Sequence, residues 1–284
     1  MKKPEKKITF NFFNFKWGRV PAWGLATESI YRTWYLKRYG YSTEARLKQF
    51  LANKHRILEA GCGLARDSKF FATLNSHAQI VAMDQSPEAL KMAANTLKQF
   101  KNCRVVRADI TNFQHSGMFD FISCDQVIHH TPDPASTLRH LFSRLKRGGV
   151  INFSVCRKKN IQRDFIDDLI MERAQNMKPE ELWKFAEAVT QFGKALSELG
   201  IDNVSFDGKR YANIQEFVHY RVFRCWYNKS LDFRLSVSSN YDWFSGNPRF
   251  NTGEVKEILK GLDRFKLLRF HEDQATISVS VQKP

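Results

Sequence analysis

Paired metal-ligand and disulfide spacings are missing from this sequence. Its five cysteines, Cys62, Cys103, Cys124, Cys156 and Cys225, stand far apart, and none forms a C-x-x-C pair. No histidine or cysteine pair has ligand spacing either, which argues against a metal site and a disulfide framework. The pattern fits reduced, buried thiols in a cytoplasmic protein. Apolar runs never approach the roughly 18 residues that cross a bilayer. The opening "MKKPEKKITFNFFNF" starts like a secretory leader, but Thr9, Asn11 and Asn14 break its apolar part and no small-residue cleavage site follows. Internal repeats and low-complexity tracts are absent, so solenoids and disordered linkers are not expected.

Acidic residues are also scarce, 29 against 45 Lys and Arg, and the resulting net charge of +16 is uneven. Residues 1–56 hold 13 basic and 3 acidic residues, +10 of the total. Such a field attracts an anionic substrate, a nucleic acid or an acidic lipid surface; a solvated basic face is the plainer reading. With 43% apolar residues in 284, the chain can bury a full core.

Residues 28–51 have helical spacing, with Ser42 or Thr43 as a helix cap. Then strands and helices alternate. "RILEA", "QIVAMD", "CRVVRADI" (103–110), "FDFISCDQVI" (119–128) and "VINFSVC" read as five strands, with amphipathic helices between them. Ser86 caps the second of these helices and Pro87 takes its first position. This pace predicts a parallel sheet covered by helices on both faces. From about 157 to 240 long helices take over, and "NIQEFVHYRVFRCWYN" is ambiguous between helix and strand. At the end "KLLRF" and "ATISVSVQ" are joined by a turn too short for a crossover, so they must pair antiparallel.

Ligands of an open parallel sheet bind beyond the carboxyl ends of its strands. Acids stand at or near four successive predicted ends, at Glu59, Asp84, Asp109 and Asp125, and Gly61 and Gly63 follow the first. A dinucleotide fingerprint needs glycine or alanine three positions after Gly63, where Arg66 stands instead. S-adenosylmethionine has no phosphate to cradle and carries a sulfonium, an ammonium and a ribose diol, which suit carboxylates. Asp84 is placed to accept both ribose hydroxyls and Asp109 to take the adenine amine.

The runs "LEAGCGLARDSKFF", "VAMDQS", "VVRADI" and "FDFISCDQVIHHTPDPASTLRHLFSRLKRGGVINFSV" together resemble the motifs of class I S-adenosylmethionine-dependent methyltransferases. Ala65 replaces the third glycine of the first motif. The resemblance covers residues 57–156 and about 250–284. It implies an α/β, Rossmann-like, doubly wound seven-stranded sheet whose last strand is antiparallel, with a mostly helical insertion after strand 5. The expected organisation is a basic aromatic helical cap at 1–56, the cofactor-binding core at 57–156, an insertion over the substrate at 157–240 and the end of the core at 241–284. Implied for the cofactor are Glu59, Gly61, Gly63, Ala65 and Arg66 along its methionine part, Asp84 and Gln85 at the ribose, Asp109 and Ile110 at the adenine, and Asp125 and Gln126 beside the sulfonium. S-adenosylhomocysteine is the implied product.

His129 and His130 follow the fourth strand in a loop stiffened by Pro132 and Pro134. One imidazole there could take a proton from a hydroxyl or amine as the methyl arrives; holding the loop by a hydrogen bond is the alternative. "FNFFNFKWGRVPAW" and "NYDWFSGNPRF" (240–250), rich in aromatics and turn residues, are expected to roof the substrate. Trp17, Tyr31, Trp34 and Trp243 would exclude water, and Arg19 and Arg32 would grip a carboxylate or phosphate. Ordinary packing is the competing account. The expected reaction is methyl transfer to oxygen or nitrogen of a small metabolite, anionic or sugar-derived. An RNA methyltransferase is the alternative, drawn from the basic, aromatic N-terminal segment, although no RNA-binding module and no Asn-Pro-Pro-Tyr-type motif follows the fourth strand. Oligomeric state is not legible.

Overall fold

Short apolar runs separated by capped amphipathic helices fold here into a twisted central sheet. The computed structural model describes residues 6–19, 28–114, 117–246 and 248–284. By contact the chain divides into two units. One contains the described residues from 28 to 157 and from 248 to 284, and the other the described residues of 6–19 and 158–246.

In the first unit β1 (Arg56–Ala60), β2 (Gln79–Asp84), β3 (Cys103–Arg107), β4 (Phe119–Cys124) and β5 (Leu145–Arg157) run parallel. They are joined by β9 (Lys266–Glu272) and β10 (Thr276–Gln282) in the order β3-β2-β1-β4-β5-β10-β9. β10 is antiparallel to both neighbours. The sheet is therefore the expected seven-stranded one with a reversed last strand, and the two-residue β8 (Arg249–Phe250) adds to β5. Successive side chains on a strand point to opposite faces, and the register aligns them. Ile57, Phe121 and Val150 join Leu47, Leu51, Phe70 and Phe71 on one face. Leu58, Ile122 and Ile151 join Leu138, Leu141, Val255 and Leu259 on the other. Two apolar layers thus clamp the sheet from both sides, which fixes the positions of the strand tips.

Helices start where side chains satisfy their free N–H groups. The predicted helix over 28–51 is two, α2 (Glu28–Tyr39) and α3 (Glu44–Leu51), because Gly40 and Ser42 have positive φ and Thr43 caps the second through its side chain. Ser86 and Pro87 open α5 (Pro87–Leu97) as expected. α4 (Arg66–Leu74), α6 (Pro134–Ser143) and α11 (Thr252–Lys260) complete this unit. Strands three and four are shorter than predicted. The fourth ends at Cys124 because Gln126 has φ +58° and a single 3-10 turn follows at Ile128–His130.

The second unit is helical, with α1 (Lys6–Arg19), α7 (Ile161–Ala174), α8 (Pro179–Glu198), α9 (Ile214–Arg221) and α10 (Phe233–Phe244), plus a small hairpin of β6 (Asp202–Phe206) and β7 (Lys209–Asn213). The ambiguous 213–228 run is α9 followed by irregular chain. Residues 240–244, read from sequence as turn-rich, are the last turns of α10, buried at Tyr241, Trp243 and Phe244. Phe12, Phe15, Trp183 and Tyr241 pack their rings together in this unit. Within the roof segment expected at 10–23, residues 20–23 lie outside the described residues.

Candidate active site

β1 runs into α4 through a turn with three left-handed residues, Gly61 (φ +80°), Gly63 (φ +50°) and Ala65 (φ +54°). Gly61 and Cys62 both donate backbone N–H groups to the Met83 carbonyl at 2.8 Å, which presses the turn onto the end of β2. A Cβ on Gly61 would stand 2.3 Å from Val127 Cγ1, so a side chain there would have to push Val127 aside, and the positive φ favours glycine as well. Glu59 is buried and turned into the start of α4, where Oε2 accepts from the Ser68 N–H at 2.9 Å and from the Ser68 hydroxyl. Burial, then the nearby Asp67, pushes the Glu59 carboxyl well above its ordinary range.

Asp84, at the end of β2, is oriented from two sides. Oδ2 accepts the Gly63 N–H at 3.0 Å and Oδ1 accepts the Ser86 N–H at 2.9 Å. Each carboxylate oxygen can take further donors, so these bonds fix its direction without exhausting it. Gln85 beside it is exposed. Asp109 accepts the N–H and hydroxyl of Thr111 through Oδ1 at 3.0 and 2.8 Å, while Ile110 is buried in the core.

Asp125, beyond β4, accepts from three side chains. Arg38 Nη1 reaches Oδ2 at 2.6 Å, and the Tyr39 hydroxyl and Ser154 Oγ donate to Oδ1 at 2.7 and 2.6 Å. Asp125 raises the pKa of Arg38 against the opposing effect of burial. The Gln126 backbone N–H and side-chain Nε2 both donate to Ser154 Oγ at 2.9 Å. His129 is 1% exposed, and its Nε2 lies 3.7 Å from Cys156 Sγ. His130 is half-buried and lies tilted against it, with ring centroids 4.1 Å apart and the planes inclined by 43°.

Sequence reading missed Asp67, in the first turn of α4. Burial, then the charge of Asp125, raises its pKa from 3.8 to about 7, against the opposing pull of Arg66 and Arg38. It also missed the face of α2 that carries Tyr35, Arg38 and Tyr39. The i, i+3, i+4 spacing of these three was the available signal. The Tyr35 hydroxyl lies 3.1 Å from Ser123 Oγ and accepts from Asn152 Nδ2 at 3.3 Å, which pins the helix to β4 and β5.

Tyr31 and Trp34 meet edge to face at 5.1 Å, and the Arg66 guanidinium lies 3.5 Å over the Tyr31 ring. Arg32 pairs with Glu28 and Glu44 at 3.6 and 3.7 Å and covers Phe70. Trp17, Arg19 and Trp243 belong to the helical unit. Lys16 lies over Trp17, exposed Arg19 over Phe15 and Trp183, and buried Trp243 donates Nε1–H to Asp167 at 2.8 Å. Arg163, Arg224 and Lys159 all lie within 6 Å of the Trp243 ring centre, at 5.4, 4.8 and 5.7 Å.

A family model described as a methyltransferase domain matches residues 51–218. Among curated relatives, an uncharacterised protein of Synechococcus sp. is 36% identical over 109 residues, 35% of this chain and 25% of that protein. A ubiquinone biosynthesis O-methyltransferase of Aromatoleum aromaticum is 35% identical over 109 residues, 37% of this chain and 44% of that protein. The chain thus spans less than half the length of these relatives. A solved S-adenosylmethionine-dependent methyltransferase from Clostridium acetobutylicum has a TM-score of 0.49 at 14% identity, covering 88% of this chain and 92% of that one. Because the family model covers more than half of the chain, membership follows: this chain belongs to the methyltransferase-domain family, the class I S-adenosylmethionine-dependent enzymes that its motifs resemble.

Proposed function

We propose that this methyltransferase acts on a small metabolite, anionic or sugar-derived, at oxygen or nitrogen, with S-adenosylmethionine held on the tips of β1 to β4. The orientation of Asp84 carries the cofactor assignment. Its carboxylate is locked between the glycine turn and the start of α5 by Gly63 and Ser86, which suits a ribose diol. The carboxylates of Asp84 and Asp125 at the strand tips suit a cation and would repel a pyrophosphate. When bound, the cofactor supplies a methyl on a sulfonium, whose C–S bond breaks with the electron pair returning to sulfur.

The protein's share is positioning and exclusion of water. Asp84 and Gln85 are assigned to the ribose, Asp109 and Ile110 to the adenine, and Gly61, Gly63, Ala65 and Arg66 to the methionine part. Asp125 and Gln126 are assigned to the floor, with His129 or His130 as the proton acceptor. Trp17, Arg19, Tyr31, Arg32, Trp34 and Trp243 are the proposed substrate residues. That the Aromatoleum relative is an O-methyltransferase supports oxygen as the methylated element. Several described cations of the N-terminal fifth are engaged internally, Lys16 with Asp242, Arg32 with Glu28 and Arg38 with Asp125. That favours a metabolite over RNA as the substrate. The described helices include none long and apolar enough to cross a membrane, and all five cysteines are free thiols, in keeping with a cytoplasmic setting.

Asp84→Ala tests the reading. Titration calorimetry is expected to show the loss of S-adenosylmethionine binding; undiminished affinity in a folded variant would overturn the assignment.

A further inference from the structure

The hydrogen bonds beyond β4 form a directed chain, and its direction specifies which nitrogen of His129 carries a proton. The chain starts at Asp125, a carboxylate that accepts from Arg38, Tyr39 and Ser154. A hydroxyl has one proton to donate, and Ser154 uses it on Asp125 Oδ1 at 2.6 Å. Ser154 Oγ must therefore accept at its other contacts, so the Gln126 group facing it at 2.9 Å is the amide NH2. This fixes the amide, whose two ends are otherwise told apart only by such partners. Oε1 of Gln126 then faces Cys156 Sγ at 3.6 Å and accepts the thiol proton. With that proton committed, Sγ can only accept from the imidazole, and the 3.7 Å contact is a weak His129 Nε2–H···Sγ bond.

A neutral imidazole protonated at Nε2 has a bare lone pair at Nδ1. In His129 that nitrogen is buried and has no hydrogen-bond partner among the described residues. Leaving a buried acceptor unsatisfied is unfavourable, so the position calls for an incoming donor. A histidine tautomer is often set by an Nδ1–H bond to a backbone carbonyl or a carboxylate; here a carboxylate-anchored chain of four side chains sets it through Nε2 instead.

We infer that Asp125, Ser154, Gln126 and Cys156 act as positioning residues that lock His129 in its Nε2–H tautomer, leaving Nδ1 to take the proton of the methyl acceptor. This rests on the methyltransferase reading above and narrows it. The acceptor enters with a proton to lose, as a hydroxyl or an N–H group. Its own lone pair forms the new bond to the methyl carbon, and the pair of the broken C–S bond stays on sulfur. The acceptor's proton passes to Nδ1, giving an imidazolium. A thiolate or a carboxylate needs no such base and is excluded as the acceptor class.

The test is nitrogen NMR of the full-length protein labelled with 15N-histidine and saturated with S-adenosylhomocysteine, with His129 assigned among the eight histidines by the His129→Gln spectrum. The wild type is expected to show a protonated Nε2 and a bare Nδ1. Cys156→Ala should shift His129 toward a mixture of tautomers, and Cys156→Ser, which keeps a donor and an acceptor at that place, should restore the wild-type pattern. A wild-type His129 protonated at Nδ1 would overturn the inference without any variant, and so would a Cys156→Ala spectrum identical to the wild type. Calorimetry on the same samples separates the two levels. If the nucleoside does not bind the wild type, the methyltransferase reading fails; if it binds and the tautomer is wrong, only the positioning role fails.

Discussion

Asp67 gives the candidate site its clearest pH signature. An acid in the first turn of a helix ordinarily ionises easily, since the helix dipole favours it. Here burial and the charge of Asp125 outweigh the dipole and two arginines, and the carboxyl titrates at about 7. The folded state therefore holds a proton that the unfolded chain releases near pH 4. Between those values the native state binds more protons, so this group's contribution to stability falls as pH rises from about 4 to 7. Melting temperatures of the wild type and Asp67→Asn, measured from pH 4.5 to 7.5, should show the wild type losing ground steadily to the variant. A difference that stays flat with pH would count against the buried placement. Sequence reading passed over Asp67 because nothing local distinguishes it from a routine helix-start acid; its partner Asp125 lies 58 positions away. Glu59 was noticed for its place before the glycines, yet its side chain serves the helix, and the rotamer that turns it toward Ser68 is decided by burial.

Between β1 and α4 the turn works as a unit with the loop beyond β4. Gly61 is squeezed by Val127 and held at φ +80°, so Gly61→Ala meets two penalties, contact and backbone strain. Urea unfolding should show a loss of roughly 1–3 kcal/mol, and cofactor affinity should drop at least ~10-fold, one factor of ten per 1.4 kcal/mol. Adding Val127→Ala should return part of the stability, because the contact is relieved while the backbone angle is not. A Gly61→Ala protein as stable as the wild type would contradict this account. Most core elements were legible because their signals are local: alternating apolar runs, Ser86 with Pro87, and a turn too short for a crossover. β6 and β7 were not, since their residues are mostly exposed and give no apolar alternation. α10 hid behind serines and an asparagine, poor helix formers; tertiary hydrogen bonds of Asn240 to Thr190 and Trp226, and of Ser236 to Asn228, supply what propensity does not.

For the molecule as a whole, charge alone favoured RNA as strongly as a metabolite. The pairing of Lys16, Arg32 and Arg38 with acids weakens that case, because a cation held by a carboxylate releases few counterions on meeting a phosphate. A salt titration against single-stranded and transfer RNA should give micromolar or weaker binding, with a log–log slope magnitude below ~3. A steep slope with nanomolar affinity would restore the RNA reading. Within the stretch 1–56, α1 groups by contact with the helical unit and α2 and α3 with the sheet.

What the sequence determined by itself were the features that depend on near neighbours: strand and helix periods, caps, the glycine turn and the antiparallel final hairpin. Each follows from sterics and hydrogen bonding within a few residues. Tertiary structure alone decided the pKa of Asp67, the direction of Glu59, the engagement of the basic residues and the tautomer of His129. These depend on which groups of other elements burial brings close, where removal of water makes a single charge or proton decisive.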